Sequence, residues 1–174
     1  MTCSRTFRLL AVFIVLAFTA GCDQATKHLA RTELAHFNAA SLSGGFIELG
    51  LAENPGAFLS LGASLPEPAR GALLTAGIAV GLTALLIYLL RATTLRWLSF
   101  FGFVQIWAGG ISNLIDRFAH HGLVTDFILL RVGAFRTGVF NVADLGIVTG
   151  AIILVASFNM RLSRSEVRSK SEGE

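Results

Sequence analysis

The sequence predicts a mainly α membrane protein: a four-transmembrane-helix bundle whose longer loops carry short β-strands and a short surface helix. Three observations predict it. Of 174 residues, 53% are apolar and 14% are charged, where a soluble domain carries about 25% charge. Mean hydropathy is positive, at +0.67. Four apolar runs, residues 9–29, 72–90, 95–115 and 142–160, each reach about 20 residues, enough to cross about 30 Å of hydrocarbon.

The first run has two readings. Arg5 and Arg8 precede it, and Thr19-Ala20-Gly21-Cys22 has the look of a lipoprotein cleavage box. A cleaved lipoprotein has no need of three further apolar runs, however. Residues 9–29 are therefore read as a retained span, with Asp23 and Lys27 near its far end. Cys3 and Cys22 then stand at opposite ends of one helix, about 28 Å apart, too far for a disulfide. The histidines show no HExxH spacing and the cysteines no CxxC, so neither a metal nor a cofactor is expected.

Basic residues set the expected orientation. Arg5, Arg8, Arg91, Arg96, Arg161, Arg164, Arg168 and Lys170 crowd short stretches at one set of span ends. Lys27, Arg31, Arg70, Arg117, Arg131 and Arg136 are spread over two longer loops at the other. Both termini are expected in the cytoplasm. The net charge of +3 reflects membrane topology, and no nucleic-acid partner is expected. Residues 161–174 read as a polar, disordered cytoplasmic tail.

The loops carry the remaining elements. Phe46–Leu51 reads as a short strand, Asn54-Pro55-Gly56 as a turn, and Ala57–Gly62 as a short helix on the membrane surface. Pro66 and Pro68 suit the first turn of the second span, which lacks N–H partners in any case. In the second loop, Val124–Arg131 and Thr137–Asn141 read as strands of a hairpin turning over residues 132–136. Symmetry about that turn brings Asp126 toward Asp144 at the hairpin base.

Asp23, Asp116, Asp126 and Asp144 are the only aspartates, and all four fall at the same membrane face. A carboxylate at mid-bilayer costs roughly 3 kcal/mol on insertion scales, so this gathering calls for a reason. Structural readings exist for three. Asn141 can cap a helix whose dipole favours an acid at Asp144. Asp23 and Lys27 are spaced as a helical ion pair. Asp116 sits at a helix C-terminus, where it needs Lys27 or Arg117 as a partner, and a scaffold role is favoured. Asp126 caps nothing and stands in a strand, where acids are poor residues. The chemical reading pairs Asp126 with Asp144: adjacent carboxylates share one proton, so one activates water while the other polarises a carbonyl.

Five stretches then appear in order: D23-Q-A-T-K27, N54-P-G-A-F58, S112-N-L-I-D-R117, V124-T-D-F-I128 and F140-N-V-A-D144. In these the chain resembles the lipoprotein signal peptidase (signal peptidase II, prolipoprotein signal peptidase) family, over its whole length except the tail. The resemblance implies an aspartyl endopeptidase of the bacterial inner membrane, independent of metal. It implies cleavage of diacylglyceryl-prolipoproteins just before the lipidated cysteine, by a catalytic pair at Asp126 and Asp144. Supporting or substrate-binding roles fall on Asp23, Lys27, Asn54, Gly56, Asn113, Asp116, Arg117 and Asn141. It further implies a small extracytoplasmic β cradle beside the surface helix, over an active site at the periplasmic face. The expected partners are prolipoprotein substrates and membrane lipid, with the chain acting as a monomer. The chain departs from the family pattern at Ser112, where Gly is usual, at Thr125, where Val is frequent, and in the run Gly56-Ala57-Phe58-Leu59-Ser60. These departures are expected to touch the pocket lining. The competing class is a small transporter or proton relay, which would string acids across the membrane; spans two and four have none at mid-depth.

Overall fold

The computed structural model describes residues 5–34, 40–57, 61–92 and 94–172. Among the described residues, four helices are long and apolar enough to cross a membrane. They are α1 (Arg5–Glu33), α2 (Glu67–Arg91), α3 (Trp97–Ala119) and α4 (Val142–Glu172). A four-stranded antiparallel sheet sits in the two long loops, in the order β1 (Ala40–Leu42), β2 (Ile47–Asn54), β3 (Val124–Val132), β4 (Phe135–Arg136).

α1 and α2 extend past their apolar stretches at both ends, and α3 and α4 at the C-terminal end, because the flanking residues continue the backbone ladder; α3 starts at Trp97, two residues inside its stretch. α2 starts at Glu67, earlier than residue 72. Pro68 is accommodated in its first turn, where the missing N–H is no loss. Gly71–Gly77 within α2 winds as a π-helix. α4 runs to Glu172, so the tail expected as disordered is helical. Residues 161–172 contain no proline or glycine to interrupt the helix.

The bundle is held by apolar packing around Phe100, Val104, Ala108 and Leu89, none of them exposed. α3 is the central helix, and small residues let α4 approach it closely. A Cβ on Gly102 would stand 2.9 Å from Gly150 O, and one on Gly109 would stand 2.5 Å from Ala143 O. Arg8, buried on α1, donates to Ala92 O and Leu95 O, which places the start of α1 beside the α2–α3 turn. Trp107 Nε1 donates to Leu82 O at 3.0 Å and ties α2 to α3.

Register decides where the site falls. β2 and β3 pair antiparallel with Ala52 opposite Asp126 and Asn54 opposite Val124, after an irregularity between Leu49 and Ala52. The strand expected over Phe46–Leu51 is thus β2, longer at its far end. The surface helix expected over Ala57–Gly62 falls on residues 58–60, outside the described residues, between a bend at Ala57 and a turn at Leu61.

Of the expected return strand over Thr137–Asn141 only a single bridge between Phe140 and Ile128 forms, and the ladder pairs instead through β4, inside the stretch expected as the turn. The physical reason is local. Thr137 Oγ1, a side-chain atom, accepts the Leu130 N–H at 3.0 Å, and Gly138 has no side chain to pack. The turn closes on Gly133-Ala134. Asp144 lies beyond the hairpin, in the first turn of α4.

Candidate active site

Asn141 joins the two elements that carry the acids. Its backbone ends the hairpin, and its side chain caps α4. Asn141 Oδ1 accepts the Asp144 N–H at 3.0 Å, and Asp144 Oδ2 accepts the Asn141 N–H at 3.2 Å. This reciprocal arrangement is a capping box. The structural reading of Asp144 therefore holds. It spends only one oxygen, because Asp144 Oδ1 accepts from Asn113 Nδ2 at 2.9 Å. Asn141 Nδ2 meanwhile donates to Asp126 Oδ1 at 2.6 Å. One asparagine touches both acids.

Asp126 receives a second donor. Asn54, at the end of β2, accepts the Gly56 N–H on its Oδ1 at 2.8 Å, the turn expected for Asn54-Pro55-Gly56. That contact orients the amide, and Nδ2 donates to Asp126 Oδ2 at 2.8 Å. Asp126 is 1% exposed and Asp144 5%. Burial raises the Asp126 carboxyl to about 6. The neighbouring Asp144 charge adds to the rise, against the hydrogen bonds from Asn54 and Asn141, which favour ionisation.

Both acids line a cavity of about 250 Å³. Its polar end holds Asn54, Asn113 and Arg117 with the two acids; Ile78, Leu82, Ile106 and Ile147, from three spanning helices, form its apolar end. Arg117 does not pair with Asp116. It reaches the turn and donates to Gly56 O, and to Asn113 O at 3.4 Å. Its Nε–H is buried without an acceptor among the described residues.

Asp23, Lys27 and Asp116 form a second, fully buried cluster behind the first. Lys27 Nζ stands 2.7 Å from Asp23 Oδ2 and 3.0 Å from Asp116 Oδ2. It also donates to Asn113 Oδ1 at 2.9 Å, where Asn141 Nδ2 donates too, at 3.0 Å. With both donors on its oxygen, Asn113 must turn its NH2 to Asp144. Asp23 Oδ1 accepts the Ala143 N–H at 2.8 Å, and Asp116 Oδ2 accepts the Thr125 N–H at 3.0 Å. Each carboxylate behind the pair thus pins the backbone next to one acid in front. Across both clusters, Asp23, Asp116, Asp126 and Asp144 face Lys27, Arg31 and Arg117. One shared proton makes that set neutral, the state a buried site favours.

Four contributors were not singled out as site residues from the sequence. Gln24 Nε2 donates to Asp116 Oδ1 at 3.0 Å. Arg31 reaches the same oxygen at 3.4 Å and donates to Thr125 Oγ1. Arg31 follows Lys27 by four, as Lys27 follows Asp23, so helical spacing alone could have found it. Ser112 and Thr125 correct an expectation. Neither lines the cavity; Ser112 Oγ donates to Asp23 Oδ2 at 2.7 Å, and Thr125 receives Arg31. These two departures serve the ion cluster, because both side chains point to the α1 side of their elements.

Known proteins resemble this chain in sequence and in fold. A profile of the family described as signal peptidase (SPase) II matches residues 14–160. The lipoprotein signal peptidase of Desulforapulum autotrophicum is 37% identical over 151 residues, covering 86% of this chain and 92% of its own. That of Xylella fastidiosa strain M12 is 38% identical over 132 residues, covering 75% and 77%. A solved structure described as a bacterial membrane enzyme has the same fold, with a TM-score of 0.75 at 20% identity over 88% of this chain and 90% of its own. Its fold, its ordered motifs and these identities place this chain in the signal peptidase II family.

Proposed function

We propose that this chain is a metal-independent aspartic endopeptidase that removes signal peptides from diacylglyceryl-prolipoproteins in the bacterial inner membrane. Asp126 and Asp144 are its catalytic pair. The observation that carries the reading is the joining of these two buried acids through Asn141, at the polar end of a cavity whose other end is apolar. The family membership and the names of the relatives support the substrate class.

The apolar end, between α2, α3 and α4, suits the apolar helix of a signal peptide, and the lipid chains of the substrate stay in the bilayer. The scissile carbonyl meets a water between the acids. The ionised carboxylate takes a proton from the water, whose oxygen bonds to the carbonyl carbon. The protonated carboxyl gives its proton to the carbonyl oxygen. The carboxyl that took the water proton then gives it to the amide nitrogen, the other carboxylate takes back a hydroxyl proton, the C–N bond breaks, and a carboxyl and an amine leave with the pair as it began. Asn54, Asn113 and Asn141 hold the acids in place, and the unspent Arg117 Nε–H is available to a substrate oxygen.

The acids lie on the side of the two long loops; basic-residue density supports a periplasmic position for that face and cytoplasmic termini, and the chain is proposed to work as a monomer. Clustering at one membrane face favours hydrolysis over a transport relay, which needs ionisable groups along the path. The test is cleavage of a lipidated prolipoprotein peptide by purified protein in detergent, with chelator present. Asp126→Asn and Asp144→Asn should each lose at least about a thousandfold in turnover while keeping helical circular dichroism. Near-normal turnover in Asp126→Asn overturns the pair, and loss of wild-type activity on chelation overturns metal independence.

A further inference from the structure

At the other end of the bundle, a pocket of about 800 Å³ opens between α2, α3 and α4. It lies about 20 Å from the acids, by the rise of α3 between Ser99 and Asn113. Arg96, just before α3, and Arg161, on α4, flank it. Neither arginine has a carboxylate partner among the described residues, and no acid is among the described residues lining the pocket.

Between them lies a hydroxyl pair. Ser99 Oγ and Ser157 Oγ stand 2.7 Å apart, and Ser157 is 4% exposed. Two hydroxyls bonded to each other use one hydrogen between them. The second O–H is left to donate, and these side chains make no other hydrogen bond among the described residues. Phe103, Leu154 and Phe158 complete the wall with apolar surface. Two cations, a spare hydroxyl donor and an apolar wall, at the end of a membrane bundle, match one ligand chemistry: a phosphodiester with acyl chains.

We infer that this pocket binds the headgroup of an acidic phospholipid from the leaflet opposite the candidate active site, with Arg96 and Arg161 on the phosphate. Topology alone accounts for arginines at this end. It does not account for two that face one pocket without acids, over a buried hydroxyl pair. Charge complementarity selects an anionic lipid over a zwitterionic one.

The test is native mass spectrometry of the full chain in detergent, titrated separately with phosphatidylglycerol, phosphatidylcholine and inorganic phosphate. The variants are Arg96→Gln, Arg161→Gln, Ser157→Ala, and a control with Arg5→Gln and Arg91→Gln, which removes two charges from the same end outside the pocket. One phosphatidylglycerol should be retained in preference to phosphatidylcholine. Its affinity should fall about tenfold or more in each pocket arginine variant, less in Ser157→Ala, and little in the control. Equal losses in the control, or equal retention of the two lipids, would overturn a specific site. Displacement of the lipid by inorganic phosphate at matched concentration would overturn the lipid in favour of a free anion. Circular dichroism checks folding, and Ser157→Ala, which removes no charge, keeps the test decisive if an arginine variant fails to fold.

Discussion

Lys27 on α1 donates to Asn113 Oδ1 on α3 at 2.9 Å, and through that one contact the buried ion cluster orients a donor to the candidate catalytic Asp144. An asparagine amide can flip end for end. With Lys27 Nζ and Asn141 Nδ2 both on its oxygen, the flipped form would set donors against donors.

Lys27→Met should therefore impair both stability and chemistry. Breaking a buried ion pair from one side costs about 3–5 kcal/mol, here by leaving Asp23 and Asp116 without Lys27. The melting temperature in detergent should fall. A Lys27→Met protein that still folds should lose mainly kcat, since Lys27 does not line the cavity. Unchanged kcat in a folded variant would contradict the orienting role.

The raised Asp126 carboxyl gives a pH dependence with a definite sign. The proposed mechanism requires the pair to hold one proton, and the carboxyl near 6 surrenders it as pH rises. Turnover at limiting substrate, kcat/KM, should fall above about pH 6. Bound signal peptide excludes more water, so the limb of kcat should lie at higher pH than that of kcat/KM. A pH series measuring both constants checks this.

The same group links pH to folding. Its folded value lies above the 3.8 of the free carboxyl. Its contribution to stability is therefore complete below 3.8 and is lost as pH rises through about 6. The loss is on the order of 3 kcal/mol. Thermal melts should show the wild type losing stability relative to Asp126→Asn between pH 4 and 7. Parallel curves would contradict the raised value.

Asn54→Ala removes the donor to Asp126 Oδ2 and the turn contact to Gly56. A hydrogen bond to a charged group contributes about 1.5–3 kcal/mol. Without it the ionised form of Asp126 loses support, so the basic limb of kcat/KM should move to higher pH while the maximum falls. A lower maximum with an unmoved limb would mean that Asn54 acts only on the turn.

Ser112→Ala separates the ion cluster from the pocket. It loses the 2.7 Å bond to Asp23 Oδ2, at a cost of about 1.5–3 kcal/mol for a charged acceptor. The melting temperature should drop with the ranking of substrates unchanged. Altered preference among prolipoprotein peptides would place Ser112 back in the lining.

Much of the site was legible in linear order. Asp126 stood out because a strand has no structural use for an acid, and Asp23 with Lys27 because four residues make one helical turn. The hairpin was legible only in part. Thr137 replaces a ladder contact with its own hydroxyl, an event that propensity does not see. The polar composition of residues 161–174 predicts disorder, whereas α4 runs to Glu172 because nothing before Gly173 stops a helix there.

The amino-acid order by itself determined four spans, their short and long connections, and four acids at one face, because hydropathy and helical periodicity are local properties. Only the tertiary structure decided which acids share a cavity and which anchor it. That choice depends on side chains from α1, β2, α3, β3 and α4 meeting around Asn113 and Asn141. Hydrogen bonds act over about 3 Å, a distance that spacing along the chain does not specify.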